Sequence, residues 1–181
     1  MTPRIYLARH ATPDWTRKDI PYHLPPGPPL TEQGLVEAQA LGAFLHQAEI
    51  QYIYASPLER CQKTAQIVGE ICQAPVETVQ GLIELQPGEE TDTVRARVVP
   101  VFDKAGLYSQ EAGPVALITH GGPVDVLLST LGIEVGPLRI FDHRNVVPPA
   151  GAWLATRQEQ DRPWELSLVF KPDLAAVSKE I

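Results

Sequence analysis

Two short apolar runs constrain the fold of this chain more than any other feature. RIYLAR at residues 4–9 and PVALIT at residues 114–119 are each nearly continuous in apolar character, the pattern of a strand buried on both faces. Strands of that kind sit in the middle of a mostly parallel sheet. Parallel neighbours need crossover connections, and those lay helices over the sheet faces. Both runs also end at charged or titratable residues: Arg9 and His10 close the first, and His120 with the pair Gly121 and Gly122 follows the second. In an open parallel sheet, ligands bind beyond the carboxyl ends of the strands. The ends of these two runs are therefore where function is expected.

The rest of the chain alternates in the same way. QYIYA at 51–55 and PVETVQ at 75–80 read as further strands. A helix is expected from a Thr31 cap, with Leu35, Ala38, Leu41, Leu45 and Ala48 along one face. SPLERCQKTAQIVGEIC predicts another, with Ser56 as its cap, Pro57 in the first turn and Glu59 closing a capping box. Residues 91–106 predict a helix that turns Val94, Val98, Val101 and Phe102 inward and is kinked at Pro100. GGPVDVLLSTLG predicts one starting at Gly122 and Pro123. AWLATRQ and WELSLVF suit an antiparallel hairpin at a sheet edge, and the last eleven residues read as a frayed tail. Between the first strand and first helix lies PYHLPPGPP, with five prolines in nine positions, which fits a stiff loop. The whole predicts an α/β chain, a three-layer α/β/α sandwich with a mostly parallel sheet, forming a single domain over residues 1–181.

Composition limits the partners. With 15 basic against 22 acidic residues the net charge is -7, which disfavours a nucleic-acid or anionic-membrane surface. Cys61 and Cys72 stand eleven apart in one predicted helix, too far along its axis for a disulfide. No run approaches 18 apolar residues and the start carries no secretory pattern, so a cytoplasmic protein is expected.

The chemistry that these residue types suit is phosphoryl transfer. Arginine forks neutralise phosphate oxygens, helix starts such as Gly121 offer unpaired N–H groups, and a neutral imidazole can attack phosphorus. Arg9, His10 and His120 lie at strand ends, and Arg60, one turn into its helix, can reach the same rim. A leaving alkoxide also needs a proton. Glu84, in GLIELQPGEE just after a predicted strand, is the best-placed acid, with Glu89 in reserve. No histidine–carboxylate cluster stands at metal-ligand spacing along the sequence.

ARHATPDW resembles the arginine–histidine–glycine signature of the histidine phosphatase superfamily, which includes the phosphoglycerate mutases. PPLTEQGLVEAQALGAFL, IYASPLERCQKTAQIV, LIELQPGEE and LITHGGPV resemble further segments of that family, in the family's order. The resemblance implies a phosphoglycerate-mutase-like fold with His10 as nucleophile. Arg9, Arg60 and His120 would hold the phosphoryl group, and Glu84 would serve as general acid, with no metal or other cofactor. Two positions depart from the pattern: Ala11 replaces the glycine after the nucleophile, and Thr16 takes the place of an asparagine at the phosphate rim. Gly121 belongs to the histidine–glycine–glycine segment. The expected substrate is a small phosphomonoester, hydrolysed through a phosphohistidine. The alternatives are a mutase-type phosphotransferase and a non-catalytic phosphate-recognition module. Little chain separates Gly88 from the next helix, so a minimal lid is expected, which favours the phosphatase. His23, His46 and His143 read as structural, and the edge hairpin could pair two copies into a homodimer.

Overall fold

The computed structural model describes residues 1–159 and 161–173. The strands are β1 (Arg4–Arg9), β2 (Tyr52–Ala55), β3 (Val76–Thr78), β4 (Val115–Thr119), β5 (Ala152–Thr156) and β6 (Glu165–Phe170), in the spatial order β3-β2-β4-β1-β5-β6. β1 pairs in parallel with β4, which pairs in parallel with β2, and β2 with β3. The hairpin β5–β6 closes the other edge antiparallel to β1, as the sequence predicts. The two apolar runs are thus neighbours at the centre of the sheet, and every residue of β4 is buried.

Strand alternation divides the core in two. Ile5, Leu7, Tyr54, Val115 and Leu117 point to one face, where they meet Val94, Val98 and Phe102 of α3 (Thr91–Ala112) and Val124 and Leu127 of α4 (Gly121–Thr130). Tyr6, Ala8, Ile53, Ala116 and Ile118 point to the other, against Ala38, Leu41 and Leu45 of α1 (Glu32–Gln47) and Cys61, Ala65 and Val68 of α2 (Glu59–Cys72). A residue period of two on the strands and 3.6 on the helices is enough to produce these layers.

Thr31 caps α1 as expected, its Oγ1 accepting from the Gly34 N–H at 3.0 Å. The expected capping box on α2 does not form. That helix starts at Glu59 with Leu58 in the capping position and no side-chain cap, because the Ser56 hydroxyl is turned toward His120. α3 runs as one helical span through Pro100 to Ala112, six residues beyond the predicted end. α4 begins at Gly121, one residue early. β3 stops at Thr78, and a 3-10 turn at Gln80–Leu82 follows it. Of the expected frayed tail, residues 174–181 lie outside the described residues. Among the described residues no helix is long and apolar enough to cross a membrane.

Candidate active site

The register of β1 against β4 decides where the chemistry gathers. Arg9 and Thr119 are partners at the strand ends, so the next residues, His10 and His120, leave the sheet at the same edge. Their rings meet edge-on with centroids 5.1 Å apart, and both side chains are fully buried. The His10 N–H donates to the Thr119 carbonyl at 2.9 Å, and its ring Nδ1 lies 2.7 Å from the carbonyl oxygen of Ala11. A carbonyl oxygen only accepts, so the ring proton sits on Nδ1 and Nε2 presents its lone pair. Arg60 Nε donates to that Nε2 at 3.2 Å.

Ala11 suits its place although the resemblance leads one to expect glycine. Its backbone is not among the positive-φ residues, so the position needs no glycine freedom. Its N–H donates to Thr64 Oγ1 at 3.1 Å, and its methyl group packs in the core beside α1 and α2.

Both arginines are buried, and each keeps one guanidinium nitrogen without a partner. Arg60 Nη1 donates to the Tyr22 carbonyl at 3.0 Å, and the guanidinium lies 3.9 Å over the Tyr22 ring. Gly27, at φ +73°, lets the proline-rich loop approach: a Cβ there would stand 2.9 Å from Arg60 Nη1. Arg9 spends its fork on Asp142, with Nη1 and Nη2 donating to the two carboxylate oxygens at 2.7 and 2.9 Å. What remains unpaired is Arg60 Nη2 and Arg9 Nε.

Glu84 follows the 3-10 turn, and its Oε2 comes to 3.7 Å from His120 Nδ1 with only 13% of the side chain exposed. Burial raises its pKa above the ordinary carboxylate value, against the pull of the Leu85 N–H, Arg60 and Arg9. Burial also drives the His10 pKa well below its usual value, helped by Arg60 and Arg9 and opposed by the bond to Ala11. His120 is lowered in the same way, by burial first and then by His10 and the arginines. The site at neutral pH therefore holds two neutral imidazoles beside a carboxyl group whose pKa burial raises.

A histidine whose folded pKa lies below its unfolded one stabilises the fold above the unfolded value, near 6.5, and that stabilisation is lost as pH falls. Glu84 has the opposite sign: its contribution is present at low pH and lost as pH rises through its folded pKa. Comparing wild type with His10→Asn leaves the Glu84 contribution common to both. Below pH 6.5 the unfolding free energy of the wild type should drop more steeply, by up to about 1.4 kcal/mol per pH unit. Equal slopes in denaturant titrations across that range would show that His10 binds its proton alike in both states.

The fold brings His10, Arg9, Arg60, Glu84 and His120 to one place. Gly121 is buried beside them at the start of α4, where a Cβ would collide with the Asn145 amide. Thr16 is a correction: it is exposed, and its N–H and hydroxyl both bond Asp14 Oδ1, at 3.0 and 2.6 Å, so it organises a surface turn instead of the phosphate rim. Glu89, the reserve acid, is instead paired with Arg97.

Several neighbours of the site carry no sequence signal for it. Ser56, which reads as a helix cap, places its Oγ 2.7 Å from His120 Nε2. Tyr22 is half-buried against Arg60, and desolvation pushes the pKa of its hydroxyl up to about 12. The segment between Gly88 and α3 is as short as the sequence predicts. Trp15 stacks on Tyr22 with ring centroids 5.0 Å apart, and its ring lies 4.8 Å from that of His143.

Ligand atoms of His10, Glu84 and His120 all lie within 4.8 Å of one another, a donor set with the composition of a zinc site that spacing along the chain does not reveal. The charge of the surroundings opposes a dication, since Arg9 and Arg60 flank the set.

A mostly parallel sheet between two helical layers, with two histidines at the carboxyl ends of its central strands, is a phosphoglycerate-mutase-like α/β sandwich. The branch 1 model of the histidine phosphatase superfamily matches residues 5–89 of this chain. A 2,3-bisphosphoglycerate-dependent phosphoglycerate mutase of Thermoplasma acidophilum is 35% identical over 103 residues, 57% of this chain and 49% of that protein, so the match spans about half the length of this curated relative. Among solved structures, a mycobacterial glucosyl-3-phosphoglycerate phosphatase superposes with a TM-score of 0.72 at 19% identity, covering 93% of this chain and 98% of the other. A phosphoglycerate mutase from Bacillus anthracis does so with a TM-score of 0.75 at 17% identity, covering 93% and 92%. At such identities the two structures speak for the fold alone.

Proposed function

We propose that the protein is a phosphomonoesterase that passes the phosphoryl group of a small phosphorylated metabolite first to His10 and then to water. The observation that carries this reading is the pair of buried, unpaired guanidinium donors, Arg9 Nε and Arg60 Nη2, around an imidazole whose Nε2 lone pair is free of the ring proton. Leaving a buried charged donor unpaired is unfavourable by more than about 1–3 kcal/mol, and a bound anion with several oxygens relieves it.

In the first step Nε2 of His10 forms a bond to phosphorus while the ester P–O bond breaks. The leaving oxygen takes the proton of Glu84. In the second step a water oxygen attacks phosphorus, the Glu84 carboxylate accepts a water proton and the N–P bond breaks, which restores the neutral imidazole and the protonated acid. Arg9, Arg60 and the N–H groups that open α4 at Gly121 offset the phosphoryl charge, and His120 supports the equatorial oxygens. The arginines supply the positive charge that a metal ion would otherwise bring.

A mutase is the second reading, favoured by the deep burial of His10 and His120 and by the Thermoplasma relative. Against it stands Asp142, whose carboxylate at Arg9 repels the extra carboxylate that a phosphoglycerate brings. The two readings part on one assay, a panel of phosphomonoesters without any bisphosphate and with a chelator present. Steady release of inorganic phosphate is expected. Interconversion of phosphoglycerates that requires added bisphosphate would establish the mutase instead. Reversible phosphate binding without turnover would establish a recognition module.

A further inference from the structure

Arg97 on α3 lies outside the ring of residues described above, yet every N–H of its guanidinium is used. Nε donates to Glu89 Oε1 at 2.8 Å, and Nη2 to Glu89 Oε2 at 2.9 Å and the Glu84 carbonyl at 3.3 Å. Nη1 donates to the carbonyls of Gly81 and Ile83 at 2.8 and 2.7 Å. A guanidinium has five N–H groups, and here each has an acceptor. Three of those acceptors are main-chain carbonyls of one short stretch that ends at Glu84.

That stretch needs an external anchor. Between β3 and α3 the only regular structure is the 3-10 turn at Gln80–Leu82, so no ladder of its own fixes the backbone at Glu84. α3 supplies a regular helix beside it. The loop lies so close to the helix that a Cβ on Gly81 would stand 2.6 Å from the Arg97 carbonyl. Thr119, one residue before His120, adds a second tie by donating from Oγ1 to the Leu82 carbonyl at 2.7 Å. Glu89 closes the arrangement by neutralising the guanidinium, so Glu84 is placed without an uncompensated cation at its back.

We propose that Arg97 is a positioning residue, whose grip on the carbonyls of Gly81, Ile83 and Glu84 holds the Glu84 carboxyl where it can deliver a proton to the leaving oxygen. This rests on the reading of Glu84 as the general acid. A displacement of about 1 Å at such a group lowers a rate by about 100-fold, so a flexible loop would forfeit much of the acid's contribution.

The test uses two substrates that share a phosphoryl group and differ in their need for a proton: an alkyl phosphate, whose leaving alkoxide requires one, and 4-nitrophenyl phosphate, whose leaving anion does not. kcat/KM is measured for wild type, Glu84→Gln, Arg97→Gln, Arg97→Lys and the Glu84→Gln/Arg97→Gln double variant. Glu84→Gln should lose about 100-fold on the alkyl ester and under about threefold on the aryl ester. Arg97→Gln should lose about tenfold on the alkyl ester with the same small aryl loss, and Arg97→Lys should recover part of it. The double variant should be no worse than Glu84→Gln alone, because both substitutions remove one function. Glu89→Gln loosens the same clamp while keeping Arg97 in place, and it should repeat the Arg97→Gln pattern if that variant fails to fold. Equal losses on both esters for the Arg97 and Glu89 variants, or multiplicative losses in the double variant, would overturn the positioning role while leaving the acid role of Glu84 intact. A flat profile for Glu84→Gln itself would overturn the acid assignment, and the positioning role with it.

Discussion

Replacing His10 with asparagine is expected to lower turnover by about 10 000-fold or more while leaving the fold and the anion pocket in place. Asparagine fills part of the ring's space and can keep a hydrogen bond to the Ala11 carbonyl, but it has no lone pair able to form a bond to phosphorus. The two unpaired guanidinium donors remain. Inorganic phosphate should therefore still stabilise the variant against thermal unfolding, by about 2.7 kcal/mol at a hundred times its dissociation constant. Loss of turnover with retained phosphate protection separates a missing nucleophile from a collapsed pocket. Substantial turnover in this variant would remove His10 from the chemistry.

The second large effect is expected at Arg60. Its guanidinium touches His10 through Nε, the proline-rich loop through Nη1 and the ring of Tyr22 through its face, and Nη2 has no protein partner. Arg60→Ala should lower kcat/KM by about 1000-fold, the loss expected when a preorganised donor to developing charge is removed. It should also change the pH profile. Arg60 helps to depress the His10 pKa, so without it that pKa rises and more of the imidazole is protonated at a given acidic pH. The acid limb of kcat/KM should therefore move to higher pH. A limb that stays put or moves lower would show that the guanidinium does not act on His10 in the way described.

How much of this was legible in the sequence depends on the kind of signal involved. Buried strands and helix stripes are local and periodic, so β1, β4, the edge hairpin and both helical layers could be read from residue spacing, and the clustering of Arg9, His10 and His120 followed from where the strands end. The side chains that surround those residues were not legible, because each has a stronger local reading. Ser56 followed by Pro57 and Glu59 has the pattern of a helix cap, and only the fold reveals that its hydroxyl instead meets His120, 64 positions away. Thr16 failed in the opposite direction: a position inherited from a resemblance gave it a place at the phosphate rim, whereas Asp14, two residues back, engages it at the surface. The cluster of Trp15, Tyr22 and His143 was not legible either, because its rings come from two loops and meet only in three dimensions. Asp142 and Arg97 are ordinary surface charges by sequence, and their roles come from partners 133 and 8 to 16 positions away.

The central claim is a bond between Nε2 of His10 and phosphorus, and trapping it is the most direct measurement. The protein is mixed with a phosphomonoester labelled in its phosphoryl group, denatured within a fraction of one turnover, and the protein-bound label is challenged with acid and with base. A linkage that is labile in acid, stable in base, absent from His10→Asn and lost at the rate of phosphate release is the predicted result. Steady phosphate release with no protein-bound label, or a label that survives acid, would contradict the account.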